Sequence, residues 1–155
     1  MNRRDVLKAG SSGSVIALML SAGLLKSEVA FAQEWNKGAF ETKSLADTVK
    51  ALGGTAPIES KDVVFSSAPD IAENGAVVQV GVQSKLPKTE SIAILVEKNP
   101  HALAANFTIP DGTEPIVTTR VKIGQTSNVY ALVKADGKFY YASKEIKVTL
   151  GGCGG

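Results

Sequence analysis

The chain has 155 residues, and its 17 Lys+Arg against 15 Asp+Glu give a formal net charge of +2. The N-terminal leader described below holds four of those basic residues and two of the acidic ones; taking them from 17 and 15 leaves 13 of each, so the body is formally neutral. Arg120 is the one arginine outside the leader, so no basic face exists to hold a phosphate backbone, and nucleic-acid binding is excluded.

Residues 1–32 read as a twin-arginine export signal. Arg3 and Arg4 are adjacent and are followed by Asp5-Val6-Leu7-Lys8. A weakly apolar run follows from Ala9 to Leu25, interrupted by Gly10, Gly13 and several serines. Its length is at the short limit for spanning a bilayer, and its glycines and serines argue against a stable membrane anchor. Ala30-Phe31-Ala32 offers small residues where a signal peptidase reads, so cleavage is expected after Ala32, before Gln33. The implied destination is the bacterial periplasm. This export route carries folded proteins, so a partner assembled before export is expected.

Residues 33–150 suffice for one domain with one core. Phe40, Leu45, Val49 and Leu52 recur at near-helical spacing and predict one short N-terminal helix. Thr42 or Ser44 is suited to cap its start, and Gly53-Gly54 to stop it. Gly54 to Lys61 reads as a turn around Pro57. The period then changes to two. Val63-Val64-Phe65 is a short strand. Glu73-Asn74-Gly75 reads as a turn before a strand over 76–82, with Ala76, Val78, Val80 and Val82 on one face and Gln79 on the other. Ser91 to Glu97 is nearly continuous apolar, as a central strand would be, and Asn99-Pro100 ends it. Further strands are predicted over 104–109 and 115–123, the latter burying Val117, Val121 and Ile123. Residues 128–134 and 138–141 flank Ala135-Asp136-Gly137, a hairpin signal. A last strand runs over 143–150. Six to eight short strands with regular turn signals predict an all-β fold, an immunoglobulin-like β-sandwich with a short N-terminal helix and a flexible C-terminal arm.

The arm is Gly151-Gly152-Cys153-Gly154-Gly155. It holds the only cysteine, between two glycine pairs and two residues from the terminal carboxylate. Glycine leaves the backbone unrestricted and offers no side chain to bury, so the sequence predicts a thiol on a short tether. Five extended residues span at most about 16–18 Å, enough to enter a pocket on another protein. Three readings compete on composition: a carrier arm, an inert glycine-rich end, and a cysteine that links subunits by a disulfide. The last would suit a β-sandwich binding or adhesion module.

Residue counts remove several chemistries. With one histidine, His101, and one cysteine, the chain lacks the donors for a blue-copper centre or a structural zinc site. It also lacks the Cys-x-x-Cys-His run of covalent haem. No cofactor and no metal ligand is assigned. His101 follows Asn99-Pro100 in a predicted loop, and no third group is available to orient it as a base for Cys153, so no catalytic residue is assigned. No Lys, Arg or His adjoins Cys153, and the nearby carboxylate disfavours thiolate, so activation of the sulfur is expected to come from a partner.

The ending Val148-Thr149-Leu150-Gly151-Gly152-Cys153-Gly154-Gly155 resembles the carboxy-terminal swinging arm of the SoxY family, the sulfur carriers of the periplasmic thiosulfate-oxidising Sox system. The likeness continues in the twin-arginine leader, Glu97-Lys98-Asn99-Pro100, Ala105-Asn106-Phe107 and Tyr130-Ala131-Leu132-Val133. It implies that Cys153 is the covalent attachment point for thiosulfate-derived cargo, on an arm made slim by Gly151, Gly152, Gly154 and Gly155. It implies a heterodimer with SoxZ. It also implies transient encounters with the haem enzyme SoxAX, which loads thiosulfate, and the dimanganese hydrolase SoxB, which releases sulfate; the remaining sulfur is oxidised by SoxCD, or handed elsewhere where that enzyme is missing.

Overall fold

The structure, a computed structural model, describes residues 36–150. Within them the elements are α1 (Lys37–Phe40), α2 (Leu45–Ala51), β1 (Ile58–Glu59), β2 (Val63–Ser67), β3 (Ile71–Asn74), β4 (Val78–Ser84), β5 (Thr89–Val96), β6 (Leu103–Thr108), β7 (Ile116–Val121), β8 (Ser127–Ala135) and β9 (Lys138–Leu150). The predicted sandwich is present. One sheet has six strands in the order β1-β9-β8-β5-β6, with β3 also paired to β9; the other has three, in the order β2-β4-β7.

The two sheets bury their facing side chains against each other. Val78, Val80 and Val82 of β4 meet Ile92, Ile94 and Val96 of β5 and the alternate residues of β8 in one core. A second cluster lies on the other face of the large sheet, where Ala39 and Val49 of the helices cover Ala93, Leu95, Leu132 and Phe139. β5 is therefore apolar on both faces, which is why its sequence runs nearly without alternation. Of the expected buried face of β7, Val121 and Ile123 are buried and Val117 is half-buried.

The single expected helix is two. Thr42 turns its hydroxyl back on the Ala39 carbonyl (2.6 Å), and Ser44 takes an extended backbone, so Phe40 belongs to a separate turn. Ser44 Oγ accepts the Asp47 N–H at 3.1 Å and caps α2. Gly53, at φ +87°, closes it: the Gly54 N–H donates to the Val49 carbonyl and the Gly53 N–H to that of Lys50, the Schellman pattern.

Three further points differ from the sequence reading. Ile58–Glu59, expected within a turn, is a strand parallel to β9. Ile71–Asn74 is a strand as well, also parallel to β9, and the Asn74 side chain forms the turn after it by accepting the Ala76 N–H at 2.9 Å. The two strands expected over 138–141 and 143–150 are one unbroken strand of 13 residues. The leader over 1–32 and the arm over 151–155 lie outside the described residues.

Candidate functional site

β9 runs to Leu150, the last described residue, so its supports decide how that strand end is held. It starts in a two-residue hairpin whose central residues, Asp136 and Gly137, have φ of 50° and 72°. Positive values at both positions give the turn whose twist matches the flanking strands. From there β9 pairs antiparallel with β8, in a register running from Ala135↔Lys138 to Ser127↔Ile146.

β8 is then exhausted, and four residues of β9 remain. Their support comes from elsewhere. On one edge β3 takes over, in parallel register Ile71↔Lys147, Ala72↔Val148 and Asn74↔Leu150. The Lys147 N–H donates to the Asp70 carbonyl at 2.9 Å. On the other edge the Thr126 hydroxyl accepts the Val148 N–H at 3.0 Å, a side chain standing where the next rung of β8 would have been. The Thr149 hydroxyl donates to the Glu73 carbonyl at 3.4 Å. Val148 packs its side chain against the inter-sheet core.

The approach to β3 is anchored too. Lys144 lies on the row of β9 that includes the core residues Ala142, Ile146 and Val148. Its Nζ donates to the Ala68 carbonyl at 2.6 Å and pairs with Asp70 at 3.0 Å. Beyond β3, the Ile123 N–H donates to the Gly75 carbonyl at 2.7 Å. A Cβ on Gly75 would lie 2.2 Å from the Ile123 carbonyl oxygen and 2.8 Å from Val148 Cγ1, so only glycine fits this crossing.

The sequence-predicted site residues Cys153, Gly151, Gly152, Gly154 and Gly155, and the leader residues Arg3 and Arg4, lie outside the described residues. His101 is exposed in the loop between β5 and β6. Among the described residues no group of three or more His, Cys, Asp or Glu is placed to hold a metal ion. No helix among them is long and apolar enough to cross a membrane. On the helix-bearing side of the large sheet, Glu97 accepts from Asn128 (2.9 Å) and from the Tyr130 hydroxyl (3.2 Å). Partial burial and the Glu97 carboxylate hold the Tyr130 phenol above its ordinary range. Sequence reasoning passed over Asp70, Thr126 and Lys144, which act through contacts from 22 to 77 residues away; the polar residue Lys144 on an apolar strand row was the signal available.

The family profile described as "Sulfur oxidation protein SoxY" matches residues 49–153, from within α2 to the cysteine itself. This chain belongs to the SoxY family. Among solved structures, that of the sulfur carrier protein SoxY from Chlorobium limicola f thiosulfatophilum is 37% identical, covers 67% of this chain and 94% of its own, and superposes with a TM-score of 0.60. A superoxide reductase (neelaredoxin) from Ignicoccus hospitalis is more distant, at 23% identity and a TM-score of 0.48 over 56% of this chain and 78% of that one. No curated protein matches the chain. SoxY proteins are sulfur carriers of the Sox sulfur-oxidation system and are not themselves catalytic, and the mostly-β sandwich with its short helices is the SoxY fold.

Proposed function

We propose that Cys153 is the covalent attachment point of this carrier, and that thiosulfate-derived sulfur travels on it between periplasmic Sox enzymes. The observation that carries the reading is the family match ending on Cys153, the only cysteine in the chain. Loading joins the outer sulfur of thiosulfate to the cysteine sulfur. The thiol loses its proton, and two electrons leave to the haem of SoxAX, giving a cysteine-S-thiosulfonate. Water then cleaves the sulfur–sulfonate bond in SoxB, releasing sulfate and two protons and leaving a persulfide anion on Cys153. SoxCD oxidises that sulfur further where it is present.

The glycines Gly151, Gly152, Gly154 and Gly155 keep the arm narrow, since no side chain meets a channel wall. No acid–base group of the chain is assigned to any step. SoxZ is the proposed stable partner, and the twin-arginine leader with Arg3 and Arg4 is the proposed route to the periplasm, cleaved after Ala32.

Intact-mass spectrometry of the mature SoxY–SoxZ complex, incubated with thiosulfate and SoxAX, tests the reading. The expected result is thiosulfonate mass on Cys153 and none on the Cys153→Ser variant, whose unfolding midpoint stays at the wild-type value. A disulfide dimer as the sole product at Cys153 would replace the carrier with a subunit link.

A further inference from the structure

The last four residues of β9 outrun the strand that pairs with the rest of it, yet they are held on both edges. A strand end in that position ordinarily frays, because its backbone groups have water as a ready alternative partner. Here the support is assembled from three separate parts of the chain: Asp70–Asn74, the Gly75–Ile123 crossing, and Thr126. The hairpin end has a short parallel partner of its own, β1 at Tyr140 and Tyr141, and two features mark the support at the other end. β3 is only four residues long, mostly exposed, and the large sheet uses it for pairing with β9 alone. Lys144 reaches across to hold the segment that leads into it.

We propose that β3, Lys144 and Thr126 form a clamp that fixes the pivot of the carrier arm at Leu150 and so sets the arm's working length. They are positioning residues and touch no cargo. The proposal rests on the carrier reading of Cys153 and adds what limits its reach. From Leu150, Cys153 is three residues away, at most about 10–11 Å when extended. Were the clamp open, the last firm pairing would be Ser127↔Ile146. The same thiol would then hang seven residues out, at most about 23–25 Å. A sulfur confined to the smaller volume meets a partner's active site at a higher effective concentration and from a defined direction.

Two conservative variants open the clamp without removing core volume. Thr126→Val deletes the acceptor for the Val148 N–H, and Lys144→Met deletes the tie to Ala68 and Asp70 while keeping the side chain's length. Spin labels on Cys153 and on an introduced cysteine, Lys138→Cys, use β9 as a ruler. Position 138 lies about 40 Å from position 150 along an extended strand, and about 27 Å from position 146. With the clamp closed, label distances should fall at about 30–50 Å, the strand length plus or minus the arm. In the double variant Thr126→Val/Lys144→Met the expected change is a new population below about 30 Å, with the upper limit unmoved. Deuterium exchange of the Val148 amide should rise at least tenfold.

In unlabelled protein, loading of Cys153 by SoxAX should slow at least fivefold, while alkylation by a small soluble reagent keeps its rate. Unchanged distances and exchange in the folded double variant would overturn the clamp. Altered distances with an unchanged SoxAX loading rate would overturn its role in positioning. Failure of wild-type Cys153 to take up cargo at all would instead remove the carrier reading, and the distance measurement does not depend on it.

Discussion

The two ends of β9 are secured differently: each has a short parallel partner, but only one also has a hairpin turn. At Lys138 the strand is held by its own neighbour in sequence, through a two-residue turn in which Asp136 and Gly137 supply the left-handed backbone. At Leu150 it is held by residues far away in sequence, Asn74 by backbone pairing and Thr126 by a hydroxyl. The first end starts from local chemistry, to which β1 adds parallel pairing at Tyr140 and Tyr141 and Glu90 a bond from the Gly137 N–H. The second has no partner nearer in sequence than Thr126, 22 residues from Val148. If Cys153 is the attachment point proposed above, its arm leaves from the end held by distant segments of the domain.

The sharpest way to break the comparison is to damage both ends together. Ile146, fully buried, is the residue at which β8 hands over to the second set of supports. Ile146→Ala should lower stability by about 2–5 kcal/mol in urea unfolding, through lost burial and the cavity left behind. Gly75→Ala acts at the Leu150 end alone. Its Cβ collides with the Ile123 carbonyl and Val148, so a loss of about 1–3 kcal/mol is expected, with faster deuterium exchange at Val148 and unchanged exchange at Phe139.

Gly137→Ala is the matching lesion at the hairpin end. No atom lies within 4 Å of the added carbon, so the cost is backbone strain at φ +72°, about 1 kcal/mol, with Val148 exchange unaffected. The smallest effect concerns Glu90. Its carboxylate bonds Lys134 at 2.9 Å and accepts the Gly137 N–H at 2.8 Å, and these contacts hold it below the usual carboxylate range. A carboxyl so depressed adds stability above its unfolded value, and that stability is lost as pH falls through the folded value. Glu90→Gln should therefore flatten the acid side of the stability–pH curve. The difference should be well under about 1 kcal/mol, because the pair is solvent-screened.

The same contrast explains what the residues disclosed. The Asp136-Gly137 turn, the Gly53-Gly54 stop, the alternating valines of β4 and the unbroken apolar run of β5 are local signals, and each appears in the structure where it was read. β1 and β3 carry no such signal. Their side chains are mostly exposed, and they are strands because β9, some 76 to 82 residues later, offers an open edge. Asn74-Gly75 was legible as a turn, but the strand running into it was not. The gap between α1 and α2 comes from the hydroxyls of Thr42 and Ser44 competing for backbone partners, which a stripe of apolar residues does not reveal. At the candidate site, the cysteine and its glycines stood out by composition alone. The clamp did not, because its members share no motif and meet only in three dimensions.

Backbone relaxation of the mature protein in solution addresses the central claim most directly, that a sulfur-bearing tip swings from a fixed strand end. Amide order parameters should stay near about 0.85 through Thr149 and fall below about 0.6 from Gly151 onward. Order parameters near the rigid value across residues 151–155, in the free carrier and with partners present, would contradict it.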